Sequence, residues 1–151
     1  MKKLFLFLSL LLTTGLSCGC SSEEDDLSIS ENAEVTKELA WEIVQKKILN
    51  GKLDKVEVYM SKSTILPNSV IETCYTTEKT PGFASWMFYI DDNPYGNWSH
   101  SCRYAYVNIK GGKFEIHGNE WYPSNLDLEF EPLVIMTNLF SFLLPLCHHP
   151  T

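Results

Sequence analysis

His100 and Cys102, two residues apart, have the strongest claim to nucleophilic chemistry in this chain. Residues two apart on a strand share a face, so the imidazole would lie beside the thiol. A working nucleophile also needs its base held by a third group, and the local sequence offers none. No catalytic residue is assigned, and the chain is read as a non-enzyme. A metal would draw on His100, Cys102 and His117, or on Cys147 with His148 and His149. Structural zinc wants four ligands at recognisable spacing, which neither set provides. Asp91-Asp92-Asn93 offers hard oxygens suited to calcium, but the glycine and distal glutamate of an EF-hand loop are missing. With Pro94 these are the residues of an ordinary turn. No metal or cofactor is expected. The remaining acids lie mostly in one N-terminal run or beside lysines on strand faces, where solvation explains them. There is no phosphate-cradling glycine loop, nucleophile elbow or Walker sequence.

Three cysteines lie beyond residue 20: Cys74, Cys102 and Cys147. Outside the cytoplasm such residues tend to pair. Cys74 and Cys102 fall on expected sheet elements and are the candidate disulfide, with a buried thiol as the other reading. Cys147 is then left odd.

The most distinctive stretch runs from Trp86 to Cys102 and carries Asp91, Asp92, Tyr95, Trp98 and His100. Tyr95 and Trp98 sit among the turn formers Pro94, Gly96 and Asn97, between two strands rich in core residues. Aromatic rings give large contact area at small entropic cost. These five residues are therefore the candidate partner-binding set. The competing reading folds Trp98 back over the sheet edge.

The elements that must position this loop follow from periodicity. Thr36 is an expected N-cap, with Glu38 in the first turn. Leu39, Ala40, Ile43, Val44 and Ile48 recur at helical spacing, extended by Trp41. Lys47 interrupts the stripe and must snorkel. Asn50-Gly51 ends the helix. Five strands are expected next: Val56 to Met60, Val70 to Thr77, Trp86 to Ile90, Arg103 to Ile109, and Phe114 to His117. In the third, Trp86, Phe88 and Ile90 share one face and Met87 and Tyr89 the other. Lys110-Gly111-Gly112-Lys113 joins the last two as a tight hairpin, because glycine tolerates positive φ. The fold class is α+β: one N-terminal helix packed on an antiparallel sheet of about five strands. Residues 133–146 are nearly all apolar. They fit a final buried strand, a short helix closing the core, or a tail written in a shifted reading frame.

The chain begins as an export signal. Lys2 and Lys3 precede the apolar run Leu4 to Leu12, too short to span a bilayer, which takes about 20 residues. Small residues then lead to Cys18 and Cys20. This resembles bacterial lipoprotein signals, in which cleavage exposes a cysteine that is lipidated. Cys20 is preferred because Gly19 is small and a polar run follows directly; Cys18 is the alternative. That run, Ser21-Ser22-Glu23-Glu24-Asp25-Asp26, resembles the serine and acids that send some lipoproteins to the outer face of the outer membrane. It also suits a solvated linker. The expected organisation is a signal peptide at 1–19, a lipidated cysteine and acidic flexible tether at 20–34, an α+β domain at 35–131, and an apolar tail at 132–151.

Charge narrows the partners. The whole chain carries a formal −7, and loss of Lys2 and Lys3 leaves 10 basic against 19 acidic residues, or −9. That argues against nucleic acid and against docking on anionic lipid through a basic patch.

A capped helix followed by a sheet with the hairpin Tyr104-Ala-Tyr-Val-Asn-Ile-Lys-Gly-Gly-Lys-Phe-Glu-Ile116 resembles the PepSY and cystatin-like group. That group includes prodomains of secreted bacterial proteases of the thermolysin and streptopain types. The likeness covers roughly 36–118. It implies a non-catalytic domain that binds or restrains a protease, or senses a ligand. The expected protein is thus a surface-exposed outer-membrane lipoprotein, held to the membrane by a lipid anchor, with a protein partner such as a protease. The alternative is a lipoprotein that binds a soluble ligand or glycan.

Overall fold

The computed structural model describes residues 27–96 and 99–136. The fold is α+β, with a short helix and a five-stranded antiparallel sheet. The helix, α1, spans Lys37–Ile43 and continues through a π-helical turn at Val44–Ile48. Thr36 caps it in extended backbone, its hydroxyl accepting from the Leu39 N–H at 3.3 Å. In the π turn the Leu49 N–H donates to the Val44 carbonyl at 2.9 Å. The wider turn rotates Ile48 and Leu49 onto the buried face together, whereas a regular α-helix would aim Leu49 away from the core. Lys46 and Lys47 stay exposed. Asn50 and Gly51 then adopt φ of 50° and 71°, which ends the helix.

The strands of the main sheet are β1 (Glu57–Ser61), β4 (Ser85–Asp91), β5 (Cys102–Asn108), β6 (Phe114–Asn119) and β7 (Phe130–Val134). They lie in the order β6-β5-β4-β1-β7. Two shorter strands, β2 (Val70–Glu72) and β3 (Thr77–Lys79), pair with each other outside it. A single helical turn, α2 (Leu126–Glu129), leads into β7.

Alternation along β4 and β5 sorts the core onto two faces. Phe88, Ile90, Ala105 and Val107 join Val58 and Met60 beneath Ala40 and Ile43 of α1 and Val44 of the π turn. Met87, Tyr89, Tyr104 and Tyr106 form a second cluster on the opposite face with Leu126 and Phe130. Along β4 the faces divide as alternation predicts. The β5–β6 hairpin turns through Gly111 and Gly112, at φ of 71° and 66°. A Cβ on Gly111 would stand 2.5 Å from the Glu31 carbonyl oxygen, so this close approach requires glycine.

Three expectations need correction. Val70 to Thr77 is not one strand of the sheet but a hairpin, because the chain reverses at Thr73, whose hydroxyl bonds Thr76 three times over. Its place in the sheet is taken by β7, which pairs with β1 and carries Leu133 and Val134 onto the core, across the boundary drawn at residue 131. Residues 27–34 are not a free tether. Leu27 and Ile29 pack against the core, and the Gly111 N–H donates to the Ala33 carbonyl at 2.8 Å. The expected signal peptide, Cys20, the acidic run and residues 137–151 lie outside the described residues. Among the described residues no helix is long and apolar enough to cross a membrane.

Candidate functional site

The loop from β4 to β5 begins with two carboxylates, and each is tied to a residue at the loop's far end. Asp91 is almost fully buried, 8 % exposed, and lies opposite Cys102 in the ladder. Its Oδ1 accepts from the Asn93 N–H at 2.8 Å and sits 2.9 Å from His100 Nε2. Asp92 takes both prongs of Arg103: Nε donates to Oδ2 at 2.7 Å and Nη2 to Oδ1 at 2.6 Å. Such forked contacts fix orientation as well as distance. Between them the Gly96 N–H donates to the Asn93 carbonyl at 2.7 Å, closing a tight turn over Pro94 and Tyr95. Gly96 packs closely: a Cβ there would come within 2.9 Å of both Asn93 and His100. Tyr95 projects from this braced turn and is 57 % exposed.

The structure thus sets Asp91, at the end of β4, beside Asp92, Tyr95 and His100 of the loop that follows. Trp98 lies outside the described residues. Beside the loop is a hollow of about 360 Å³, lined by Ser99, His100, Ser101, Gly118, Asn119 and Glu120.

Asp91 is the third group that sequence reasoning did not find for His100; only the β4–β5 register places it there. The thiol is nevertheless poorly suited to attack. Cys102 is 1 % exposed, and its Sγ donates to the Trp121 carbonyl at 3.6 Å. Burial, reinforced by the charges of Asp91 and Asp92, pushes its pKa up to about 12. Nucleophilic cysteines need the opposite environment.

The candidate disulfide between Cys74 and Cys102 is not formed. Cys102 is a free thiol, whereas Cys74 is disulfide-bonded. The reason is topological: Cys74 sits at the tip of the β2–β3 hairpin, and Cys102 lies in the main sheet beneath Trp121.

His100 and His117 serve different networks. His117 Nδ1 meets Glu78 Oε1 at 2.6 Å, and Asn119 Nδ2 donates to Glu78 Oε2 at 3.2 Å. These contacts tie β3 to β6. Among the described residues no three His, Cys, Asp or Glu gather to hold a metal.

Sequence reasoning also missed a row of rings across the sheet. Tyr59, Tyr89, Tyr104 and His117 are successive cross-strand partners in β1, β4, β5 and β6. The ring centroids of Tyr59 and Tyr89 are 6.0 Å apart, and those of Tyr89 and Tyr104 5.9 Å. Burial pushes the pKa of all three phenols well above the ordinary value. The Tyr104 hydroxyl donates to the Trp121 carbonyl at 2.6 Å. The sequence signal was the alternation of tyrosine with aliphatic residues, but register alone turns it into a row. Ile71 of the hairpin and Tyr122 pack against this face.

No protein-family model, no curated protein and no solved structure matches the chain.

Proposed function

We propose that the protein is an extracytoplasmic, lipid-anchored binding module that engages a protein partner through the β4–β5 loop. The observation that carries this is the bracing of Tyr95. Asp91–His100 and Asp92–Arg103 lock both ends of the loop, so an exposed ring is presented with little conformational freedom left to lose on binding. A helix leading an antiparallel sheet in the PepSY and cystatin-like manner supports the reading that the partner is a secreted protease. The leader, Cys20 and the acidic run support anchoring at the outer membrane with display at the cell surface. The raised pKa of Cys102 supports a non-catalytic role.

The test is titration of protease activity. Purified full chain is added to a cysteine protease of the streptopain type and a metalloprotease of the thermolysin type. Stoichiometric inhibition, lost in Tyr95→Ala, is the expected result. Undiminished activity of both enzymes at saturating protein would remove the protease reading. A second reading, glycan or soluble-ligand binding, is favoured by the hollow beside the same loop, into which Asn119 and Glu120 bring polar side chains. It predicts retention on a carbohydrate array that is sensitive to Glu120→Ala and Asn119→Ala.

A further inference from the structure

We infer that β6 is the interface of a homodimer, in which two copies join edge to edge through a twofold axis at Ile116. The strand is the last in the sheet order, and among the described residues none pairs with its outer side. Edge strands are usually protected by proline, by lysine or by brevity. The opposite edge, β7, contains Pro132. By contrast β6 runs Phe-Glu-Ile-His-Gly-Asn, with neither proline nor lysine. Its side chains toward the helix layer, Phe114 and Ile116, are 38 % and 42 % exposed, because α1 packs over the inner strands.

Hydrogen-bond parity decides which groups are on offer. The Asn108 N–H donates to the Lys113 carbonyl at 2.8 Å, and these residues lie in the register of the β5–β6 ladder. Odd-numbered residues of β6 therefore turn their backbone toward β5. Phe114, Ile116 and Gly118 turn theirs outward. A second strand must pair through these three.

Side chains select both the partner and the register. With Ile116 opposite its own copy, Phe114 falls opposite the copy's Gly118, and Glu115 opposite the copy's His117. All three pairings are favourable. Two isoleucines meet on the axis. A phenylalanine ring covers a glycine beside which a Cβ would find nothing within 4 Å. Carboxylate faces imidazole in the non-hydrogen-bonded pair, where side chains approach most closely; Glu78 holds His117 Nδ1, and the copy's Glu115 would exchange with the 3.4 Å contact that Nε2 makes to Glu115 of its own strand. The axis makes the last two pairings occur twice. Sliding by two residues in one direction puts Glu115 against its own copy. Sliding in the other sets His117 against itself and Ile116 over Gly118. This fit of side chains in a single self-complementary register points to a second copy of this chain as the occupant.

Cysteine cross-linking of the full chain, purified in detergent, reads the register directly. A disulfide spans Cα atoms roughly 4.4–6.8 Å apart. Ile116→Cys is expected to form covalent dimers on air oxidation, beyond any seen for the parent chain. Phe114→Cys should not link to itself but should link to Gly118→Cys when the two are mixed. In sedimentation the parent should dimerise reversibly. Ile116→Pro, which deletes an outward N–H and spares the β5 ladder, should weaken association at least tenfold with an unchanged circular dichroism spectrum. Glu115→Lys should weaken it as well. A parent that stays monomeric at all concentrations, Ile116→Cys that links no better than the parent, or Phe114→Cys that links to itself as readily would each overturn the proposal.

Discussion

His117 on β6 and Glu78 on β3 meet at 2.6 Å, and with the 3.2 Å contact from Asn119 they tie the β2–β3 hairpin to the main sheet. A two-stranded hairpin is at best marginally stable alone. Its order depends on such links, on Ile71 packed against the tyrosine cluster, and on the Ser124 N–H donating to the Glu72 carbonyl at 2.9 Å. The first prediction is a measurable coupling between Glu78 and His117. Both side chains are partly exposed, so a double-mutant cycle with Glu78→Ala and His117→Ala should give about 0.5–1 kcal/mol. Amide exchange at Ile71 and Glu78 should quicken in either single variant. Zero coupling with unchanged exchange would mean that packing and the Cys74 disulfide hold the hairpin unaided.

The second prediction is a loss of stability in alkali. The Cys102 thiol is pushed from 9.0 to about 12 in the fold, first by burial and then by Asp91 and Asp92. Between those values the unfolded chain has released the proton and the folded chain still holds it. Stability is therefore complete below pH 9 and declines as pH rises toward 12, by about 1.4 kcal/mol per unit for one such group. Buried Tyr89, Tyr104 and Tyr106, all raised from 10.0, steepen the decline above pH 10. Urea midpoints of Cys102→Ala measured from pH 7 to 10 should fall less between 9 and 10 than those of the parent. An identical slope would mean that the thiol ionises freely in the fold.

The third prediction separates two neighbouring glycines. Both sit at positive φ, where a Cβ costs about 1–2 kcal/mol. At Gly111 the new atom also meets backbone, the Glu31 carbonyl oxygen at 2.5 Å. At Gly112 it meets only the movable ends of Ile29 and Ile43, the nearer at 2.8 Å. Gly111→Ala should therefore lower the melting temperature by clearly more than Gly112→Ala. Equal losses would indicate that the segment around Glu31 moves aside freely.

What the sequence revealed of this fold was its local part. Thr36 and Asn50-Gly51 bracket the helix because capping is decided by neighbours in sequence, and the Gly111-Gly112 turn is equally local. The faces of Phe88 and Met87 follow from alternation alone. What stayed hidden needed partners distant in sequence. Val70 to Thr77 has the composition of one strand, and the turn in which the N–H and hydroxyl of Thr73 bond Thr76 breaks it. The last strand, Phe130–Val134, is short, holds Pro132 and is recognised by its pairing to β1. At the candidate site the acids, Tyr95 and His100 stood out by type. Their pairing, Asp91 to His100 and Asp92 to Arg103, depends on where the loop returns.

The fourth prediction concerns the membrane. It rests on the paired lysines, the apolar run and Cys20 ahead of the acidic residues. Burial of acyl chains contributes roughly 0.8 kcal/mol per methylene, and two chains already anchor a protein stably. Cys20→Ala should move the protein from the membrane fraction to the soluble one. Continued membrane attachment of Cys20→Ala, with release of Cys18→Ala, would assign the anchor to Cys18.

The fifth prediction tests whether the braced loop is a contact surface. Tyr95 is 57 % exposed, so truncation to alanine should change folding stability by no more than about 0.5 kcal/mol. An anchoring interface residue, by contrast, loses about 2 kcal/mol or more of binding on the same change. Gly96→Ala provides an independent arm. Its Cβ would stand 2.9 Å from Asn93 and His100, so the turn must shift although Tyr95 itself is untouched. If the loop works by preorganisation, Gly96→Ala and Asp92→Asn should weaken partner binding with Tyr95 in place, and the loss should appear mainly in the dissociation rate. Trp98 divides the two readings of the loop. Truncation of a ring that covers the core should cost about 3–5 kcal/mol of stability, and truncation of a contact ring should cost binding instead. Thermal unfolding and binding measured on the same Tyr95→Ala, Gly96→Ala and Trp98→Ala proteins decide the matter. Unchanged affinity in the Tyr95 and Gly96 variants, with a large stability loss in the Trp98 variant, would make the loop a structural cover and move the search for a contact surface elsewhere on the domain.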